Sequence, residues 1–231
     1  MIDLAGRRIA VTGATGGIGS SLSEALSATG ARLAITGRSP GALGQLTRLP
    51  GVEVARTASI TDEPAVASFL ASAADAFGGL DALITLAGRS IPGQVAETTI
   101  DQFTEIMDSN LLGTFLACKH AVDKIVPGGL IISVGSMAAL RPNATAPLYC
   151  TAKAAVAMFG QALNLQLADR RIRVTTINPG GVDTGFWGDR PVDRSTLLSP
   201  GDVAESIMFT LRLPSHVAVR ELTLESTGRR G

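Results

Sequence analysis

The sequence has few of the residues that build metal centres and disulfide frameworks. Its two cysteines, Cys118 and Cys150, and its two histidines, His120 and His216, form no spacing typical of a metal site or a disulfide. Structural roles are therefore the simplest interpretation for all four side chains. We expect no bound metal.

Long apolar runs are absent as well. Nowhere do eighteen uncharged apolar residues follow one another, and the first eight residues contain no apolar segment of the kind found in a signal peptide. This pattern predicts no membrane association and a cytoplasmic protein.

Charge of either sign is scarce. Charged residues make up 17% of the chain, the formal net charge is zero, and hydrophobic residues make up 45%. A nucleic-acid-binding surface needs a basic excess and a disordered tail needs low hydrophobicity, so the composition argues against both. The 231 residues are ample for one α/β domain and short for two. We predict a single domain, residues 1–231.

Short apolar, β-branched runs alternate with longer amphipathic stretches along the whole chain. This order is typical of βαβ units in a parallel sheet, with ligands at the carboxyl ends of the strands. We predict an α/β fold with a doubly wound seven-stranded parallel sheet and helices on both faces. The predicted strands are Arg8–Thr12, Arg32–Thr36, Val52–Arg56, Ala82–Leu86, Leu130–Val134, Arg173–Ile177 and Val217–Leu224, and the predicted helices are Gly17–Thr29, Pro40–Leu49, Asp62–Phe77, Ile100–Ile125, Leu148–Ala168 and Pro200–Leu213.

A glycine-rich turn follows the first predicted strand. It reads Thr12-Gly13-Ala14-Thr15-Gly16-Gly17-Ile18-Gly19 and opens directly into a predicted helix. Because glycines have no Cβ atom, a pyrophosphate can approach the amide donors of the helix N-terminus closely. An ordinary glycine-rich loop is the alternative, but the order of strand, glycines and helix favours a dinucleotide site in a Rossmann-like fold.

The only tyrosine, Tyr149, precedes one of only three lysines, Lys153, by four residues. On a helix this spacing places both side chains on one face. The pKa of a phenol is ordinarily near ~10. Use as a base at neutral pH therefore requires the phenolate to be stabilised by about 4 kcal/mol relative to the phenol, and a single ammonium does not readily supply that much. An oxidised nicotinamide ring would add a second positive charge. Taken alone, the pair is weak evidence, because such pairs are common on solvated helix faces, and that interpretation is the favoured one.

Together these motifs resemble the classical short-chain dehydrogenases/reductases, which carry T-G-x-x-x-G-x-G and Y-x-x-x-K. The resemblance covers nearly the whole chain, and Ser136 precedes Tyr149 by thirteen residues, as the family pattern requires. Further matches are Asn110 within Met107-Asp108-Ser109-Asn110-Leu111-Leu112-Gly113, Ser136 at the end of Ile131-Ile132-Ser133-Val134-Gly135-Ser136, and Asn178-Pro179-Gly180-Gly181-Val182-Asp183-Thr184.

The resemblance implies a catalytic set of Asn110, Ser136, Tyr149 and Lys153. Tyr149 would exchange a proton with the substrate oxygen, Lys153 would bind the nicotinamide ribose and stabilise phenolate, Ser136 would hydrogen-bond the reacting oxygen, and Asn110 would position a water. It also implies a set of cofactor contacts. These are Gly13, Thr15, Gly17, Ile18, Gly19, Arg38, Ser39, Ser59, Ile60, Ala87, Gly88, Asn110, Tyr149, Lys153, Pro179, Gly180, Val182 and Thr184.

The end of the second predicted strand bears on the choice of cofactor. An NAD-selective enzyme usually has a carboxylate there for the adenosine ribose, whereas this chain has Arg38 followed by Ser39. Arg38 could pair with a 2′-phosphate, with hydroxyl contacts from Thr15 and Ser39. A plain surface arginine is the alternative, and Gly16 offers no second basic group. We predict NADP(H) in preference to NAD(H).

Two positions depart from the family pattern. Ser59-Ile60 replaces an aspartate that contacts adenine, and Thr85-Leu86-Ala87-Gly88 replaces N-N-A-G. The second change removes sheet-stabilising asparagines, for which Thr85 is expected to substitute in part.

The substrate pocket is expected to draw on three segments, Arg89 to Ile91, Met137 to Arg141, and a lid over Gly185 to Leu198. Arg89 and Arg141 would be available for an anionic substrate. By analogy, the long helices that hold Asn110 and Tyr149 would pack between subunits of a homodimer or homotetramer, although burial within one subunit explains their alanine-rich face nearly as well.

The leading functional prediction is an NADP(H)-dependent oxidoreductase acting reversibly on a small-molecule ketone or secondary alcohol, without a nucleic-acid partner. The alternatives are an NAD-dependent alcohol dehydrogenase of the same family, a non-catalytic NADP(H)-sensing or scaffold protein, and an enzyme with dehydratase or epimerase chemistry.

Overall fold

A computed structural model describes residues 1–228. The last three residues of the predicted domain, 229–231, lie outside the described residues, so its extension to residue 231 stays a prediction. The strands are β1 Arg8–Thr12, β2 Arg32–Gly37, β3 Val52–Thr57, β4 Leu80–Thr85, β5 Ile125–Val134, β6 Arg173–Pro179 and β7 Glu221–Leu224. The α-helices are α1 Gly17–Ala28, α2 Pro40–Leu46, α3 Glu63–Phe77, α4 Ile100–Met107, α5 Gly113–Ala121, α6 Pro147–Gln166 and α7 Pro200–Leu211.

All seven strands form one parallel sheet in the order β3-β2-β1-β4-β5-β6-β7. The chain first builds outward from β1 to β3, then returns to the other side of β1 and continues from β4 to β7. The strand order therefore reverses between β1 and β4, where an open crevice forms at the carboxyl ends of the strands. The predicted doubly wound α/β fold is confirmed.

Helices cover both faces of the sheet. Side chains of β1 alternate between two apolar cores, since Ile9 and Val11 pack into one and Ala10 into the other. The first core takes its helical side chains from α1, α2 and α7, and the second takes them from α3, α5 and α6. Strands buried on both faces explain the continuous apolar runs in the sequence.

Local signals set the ends of several helices. The Asp62 side chain accepts a hydrogen bond from the amide of Ala65 and begins α3, which ends at Gly78 in the left-handed conformation. Ser199 and Asp202 form a reciprocal capping box at the start of α7. No helix within residues 1–228 is both long and apolar enough to cross a membrane.

The predicted helix Ile100–Ile125 is wrong at its centre and at its end. A single π-helical turn, Asp108–Leu112, separates α4 from α5, and the chain leaves the helix after Ala121 through a 3₁₀ turn. Ile125 already belongs to β5, which begins five residues before the predicted Leu130. The wider turn accommodates the Asn110 side chain, whose amide bonds the carbonyl of Ile106.

The last strand is shorter than predicted. It begins at Glu221 instead of Val217, because side chains of β6 take carbonyls of the preceding segment. Arg173 donates to the Val217 carbonyl at 2.8 Å, and the Thr175 hydroxyl donates to the Val219 carbonyl at 2.7 Å. Strand pairing therefore begins only after these residues.

Candidate active site

The glycine turn lies at the carboxyl end of β1, in close contact with two other loops. Gly13 has φ +75°, and a Cβ there would stand 2.8 Å from the amide nitrogen of Ala87. A Cβ on Gly17 would stand 2.6 Å from the methyl carbon of Thr184. No side chain caps the N-terminus of α1, so its first-turn amides are left for a ligand. These features fit a bound pyrophosphate.

A cleft of about 500 Å³ opens beside this turn at the carboxyl ends of the strands. Eight of the predicted cofactor contacts line it, namely Gly13, Thr15, Arg38, Ser39, Ser59, Ile60, Ala87 and Gly88. The others lie outside its lining, and these are Gly17, Ile18, Gly19, Asn110, Tyr149, Lys153, Pro179, Gly180, Val182 and Thr184. The close approach of Gly88 to Asn110 and Lys153 connects the two groups. Ile18 itself packs against the apolar core.

Arg38 projects into this cleft directly after β2. It is exposed and makes no ion pair or hydrogen bond with any residue from 1 to 228. The Thr15 side chain packs at Gly37, where a Cβ would stand 2.3 Å from the Thr15 hydroxyl oxygen. Ser39 caps α2 by accepting from the amide of Ala42 at 3.4 Å, a role that sequence reasoning missed. An unpaired guanidinium in the cleft can bind an anionic group.

Asn110 lies in the π-helical turn and is fully buried. Its side-chain amide donates to the carbonyls of Arg89 and Ile106, both at 2.8 Å. Its Oδ1 atom has no partner in the described part of the chain. A Cβ on Gly88 would stand 2.4 Å from that oxygen and 3.2 Å from Nζ of Lys153. Asn110 and Lys153 therefore converge on Gly88, at the edge of the cleft.

Lys153 lies on α6, one turn after Tyr149, and only 4% of it is exposed. Its Nζ donates to the carbonyl of Val134 at 2.9 Å and lies 5.8 Å from the centre of the Tyr149 ring. Burial lowers the pKa of the Lys153 ammonium to about 8. Of its three donors, two remain after the bond to Val134, so the ammonium can serve a ribose and the region of the phenol together.

Tyr149 lies in the first turn of α6 and is partly buried beside Lys153. Burial raises the pKa of its phenol, whereas the neighbouring Ser136 hydroxyl and the charge of Arg190 act in the opposite direction. The Phe186 ring packs against the phenol with ring centres 5.7 Å apart. Without a bound cofactor the phenol therefore stays protonated at neutral pH, which is the form that donates a proton.

Ser136 follows β5 and is held in place by a residue to which sequence reasoning assigned no role. The backbone amide of Ser136 donates to Oδ1 of the fully buried Asn178 at 3.1 Å. A Cβ on Gly135 would stand 2.1 Å from the same oxygen. Asn178 stands in the Asn178-Pro179-Gly180 motif at the end of β6, and that motif was the available signal. It fixes the turn that presents the Ser136 hydroxyl.

Comparison with known proteins decides the family. The sequence model of the family described as short chain dehydrogenase matches residues 7–194. The chain belongs to the short-chain dehydrogenase/reductase family. It is 30% identical over 231 residues to an uncharacterised oxidoreductase of Staphylococcus saprophyticus, and the alignment covers 97% of this chain and 99% of that protein. An uncharacterised oxidoreductase of Staphylococcus aureus is 32% identical over 221 residues, with 93% and 94% covered.

Solved structures of the family have the same fold. A short-chain dehydrogenase from Burkholderia cenocepacia, in complex with NADP, superposes with a TM-score of 0.89 at 28% identity over 97% of this chain and 98% of that one. An alcohol dehydrogenase from Thermococcus sibiricus, complexed with 5-hydroxy-NADP, superposes with a TM-score of 0.87 at 29% identity, over 97% of this chain and 99% of that one. The protein is therefore a nicotinamide-dependent oxidoreductase of this family.

One departure from the family pattern, at Thr85, lies beside polar atoms without partners. Thr12 and Thr85 face each other across β1 and β4, and both hydroxyls are buried without a hydrogen-bond partner in residues 1–228. We expected the Thr85 hydroxyl to replace part of the hydrogen bonding of the missing asparagines. That prediction is wrong, because the hydroxyl makes no hydrogen bond with residues 1–228. Ser59 pairs with the Thr61 hydroxyl at 2.9 Å, while Ile60 packs against Gly113.

The two arginines expected to be available for an anionic substrate are already paired. Arg89 forms an ion pair with Glu105, and Arg141 contacts Glu225 at 3.0 Å. Arg190 is different, because its guanidinium packs 5.0 Å from the centre of the Phe186 ring and has no carboxylate partner within the described chain. Sequence reasoning placed this residue in the lid without a role.

The predicted lid forms an ordered cover beside Tyr149. Trp187 donates its indole N–H to the Val182 carbonyl at 2.8 Å, and Leu198 pairs with Val182 through an isolated β-bridge. Both ends of the segment are thus anchored to the turn after β6. The rings of Phe186 and Trp187 meet edge to face, with centres 5.7 Å apart.

Proposed function

We propose that this protein transfers a hydride between NADP(H) and a small ketone or secondary alcohol, with Tyr149 as the general acid and base. The observation that carries the proposal is the convergence of Tyr149, Ser136 and Lys153 at the carboxyl end of β5, beside the cleft. A phenol, a hydroxyl and a buried ammonium at one point form a proton-transfer site.

Each side chain has a role that follows from its surroundings. NADPH, when bound, supplies the hydride. Burial keeps the Tyr149 phenol protonated, so it can donate to a carbonyl oxygen, and the Ser136 hydroxyl stabilises the charge that develops on that oxygen. Lys153 keeps a positive charge at neutral pH and favours the phenolate that remains. Asn110 offers its unpaired oxygen to a water beside Lys153.

The unpaired Arg38 supports NADP(H) as the preferred cofactor. Its guanidinium reaches the cleft with no carboxylate at the end of β2 to receive a ribose hydroxyl instead. The NADP complex of the Burkholderia cenocepacia protein agrees with this choice. An NAD-dependent alcohol dehydrogenase is the alternative, and it would require Arg38 to be a surface residue without a role.

A homodimer or homotetramer is proposed on the basis of exposed apolar side chains on the helices of the site. Ile100 on α4 is 78% exposed, Phe115 on α5 is 42% exposed, and Met158 on α6 is 63% exposed. Ala157 of the predicted alanine-rich face is buried within the subunit, whereas Ala154 is exposed. The cytoplasmic location stays a prediction.

The test is a panel of ketones, 3-oxoacyl thioesters, quinones and sugars with NADPH, followed at the nicotinamide absorbance. We expect NADPH oxidation with at least one carbonyl class and the reverse reaction with the matching alcohol. Tight NADPH binding without turnover across the panel would favour a sensing or scaffold protein. Turnover with NADH alone would support the NAD-dependent alternative.

A further inference from the structure

A second cavity lies at the amino ends of the strands, on the opposite side of the sheet from the cofactor cleft at their carboxyl ends. Its volume is about 300 Å³, and it is bounded by the amino ends of β1, β4 and β6, the first half of β5 and the segment after α7. Three charged residues line it, namely Arg7, Asp81 and Arg173. The proposed reaction uses none of them.

Asp81 is already saturated by a neighbouring arginine. Arg8 binds it side-on, with Nε 2.9 Å from Oδ2 and Nη2 3.0 Å from Oδ1, and the Arg8 backbone amide adds a third hydrogen bond at 2.9 Å. Arg7 reaches the same carboxylate at only 3.5 Å. The single acid of the cavity therefore neutralises Arg8 and leaves little for a second guanidinium.

Arg173 has the same side-on edge, but no carboxylate occupies it. Its Nη1 donates to the carbonyls of Pro214 and Val217 at 3.3 and 2.8 Å. Its Nε is buried without a partner, and Nη2 makes no hydrogen bond, as far as residues 1–228 are concerned. The Nε–Nη2 edge is the one that binds carboxylate and phosphate with two parallel hydrogen bonds.

The electrostatics around Arg173 point the same way. Burial lowers the pKa of its guanidinium, and the nearby charge of Arg7 lowers it further. Only four buried side-chain nitrogen or oxygen atoms in the described chain lack a hydrogen-bond partner, and three of them, in Thr12, Thr85 and Asn110, lie near the cofactor crevice. The fourth is Arg173 Nε. A buried donor without a partner and two adjacent like charges are both unfavourable, and an anion would relieve both.

We propose that this cavity is a binding site for the carboxylate or phosphate group of a small molecule, distinct from the cofactor cleft. Arg173 holds the oxyanion side-on through Nε and Nη2. Arg7 supplies a second positive charge, and Ser215, which makes no side-chain hydrogen bond within residues 1–228, adds a hydroxyl at the rim.

The test measures binding of inorganic phosphate and of acetate by calorimetry and by the shift in unfolding temperature, at constant ionic strength with chloride as the reference. Arg173→Lys keeps the charge and removes the side-on edge, so we expect binding to weaken by about tenfold or more. Arg7→Gln removes the second charge and should weaken binding by about three- to tenfold. Arg48→Ala, at an exposed arginine outside both cavities, is the matched control and should leave this binding unchanged, whereas Arg38→Ala should remove only anion binding in the cofactor cleft.

The two anions separate the two chemistries, because a carboxylate site responds to acetate and a phosphate site responds to phosphate alone. Stabilisation no greater than that by chloride would overturn the proposal. So would binding that persists at full strength in Arg7→Gln, or that is lost in Arg48→Ala. Arg7 is partly exposed and makes only a long contact with Asp81, so its variant keeps the test decisive if Arg173→Lys fails to fold.

Discussion

Gly88 lies so close to the Asn110 side chain that there is no room for a Cβ atom at position 88. A Cβ on Gly88 would stand 2.4 Å from the unpaired oxygen of Asn110 and 3.2 Å from Nζ of Lys153. The absence of one carbon atom therefore keeps the cleft continuous with the acid–base residues. This contact joins the loop after β4 to the π-helical turn between α4 and α5.

We predict that Gly88→Ala lowers both stability and turnover. The methyl group must displace Asn110 or Lys153, and overpacking of this kind typically costs about 1–3 kcal/mol. We expect kcat/KM to fall together with the unfolding temperature. Gly93→Ala is the matched control, because a Cβ there meets only an ordinary contact of 3.7 Å with the Thr98 hydroxyl. Equal effects of the two substitutions would show that the Gly88 contact is unimportant.

The second prediction concerns the buried ammonium of Lys153. Burial lowers its pKa in the folded protein to about 8, from an ordinary value of 10.5. Between these pH values the unfolded chain binds a proton that the folded protein does not, so stability rises with pH. Below pH 8 the buried ammonium lowers the free energy of unfolding by its full cost, on the order of 3 kcal/mol.

Lys153→Met should therefore stabilise the cofactor-free protein while abolishing most activity. The unpaired Val134 carbonyl costs about 1 kcal/mol, which leaves a net gain of about 1–2 kcal/mol at pH 7. Denaturant unfolding at several pH values measures the gain, which should shrink between pH 8 and 10.5. Lys119→Met, at an exposed lysine paired with Glu63, should show no such trend. A variant less stable than wild type at pH 7 contradicts this account.

Arg38→Asp should reverse the cofactor preference. The substitution removes the cation for the 2′-phosphate and adds an acceptor for the ribose hydroxyls of NADH. We expect the ratio of kcat/KM for NADPH to that for NADH to fall by about 10²-fold or more, equivalent to losing one or two charge-assisted hydrogen bonds. Arg48→Asp, at an exposed arginine outside the cleft lining, should leave the ratio unchanged. A wild-type preference for NADH would refute the assignment.

Much of the fold was predictable because buried parallel strands leave a plain record. Runs such as Leu130–Ile132 are apolar on both faces of the sheet, and the glycine turn after β1 is a local motif. The strand count, the order of elements and the positions of Ser136, Tyr149 and Lys153 at the carboxyl ends follow from these signals.

The parts that sequence reasoning missed depend on contacts between distant residues. The π-helical turn at Asn110 exists because that side chain bonds the carbonyls of Ile106 and Arg89, and a helical period cannot reveal such a bond. The pairing of Arg89 with Glu105 across sixteen positions likewise needs the fold. The role of Asn178 in holding Ser136 spans forty-two positions.

The most direct test of the central claim compares turnover with cofactor affinity in Tyr149→Phe. The substitution removes only the phenolic hydroxyl and preserves the ring that packs against Phe186. We predict that kcat for the best carbonyl substrate falls by about 10²–10⁴-fold, while the Kd for NADPH, measured by fluorescence titration, changes by no more than about twofold. Turnover close to that of the wild type, with NADPH still bound, would contradict the role of Tyr149 as the general acid and base.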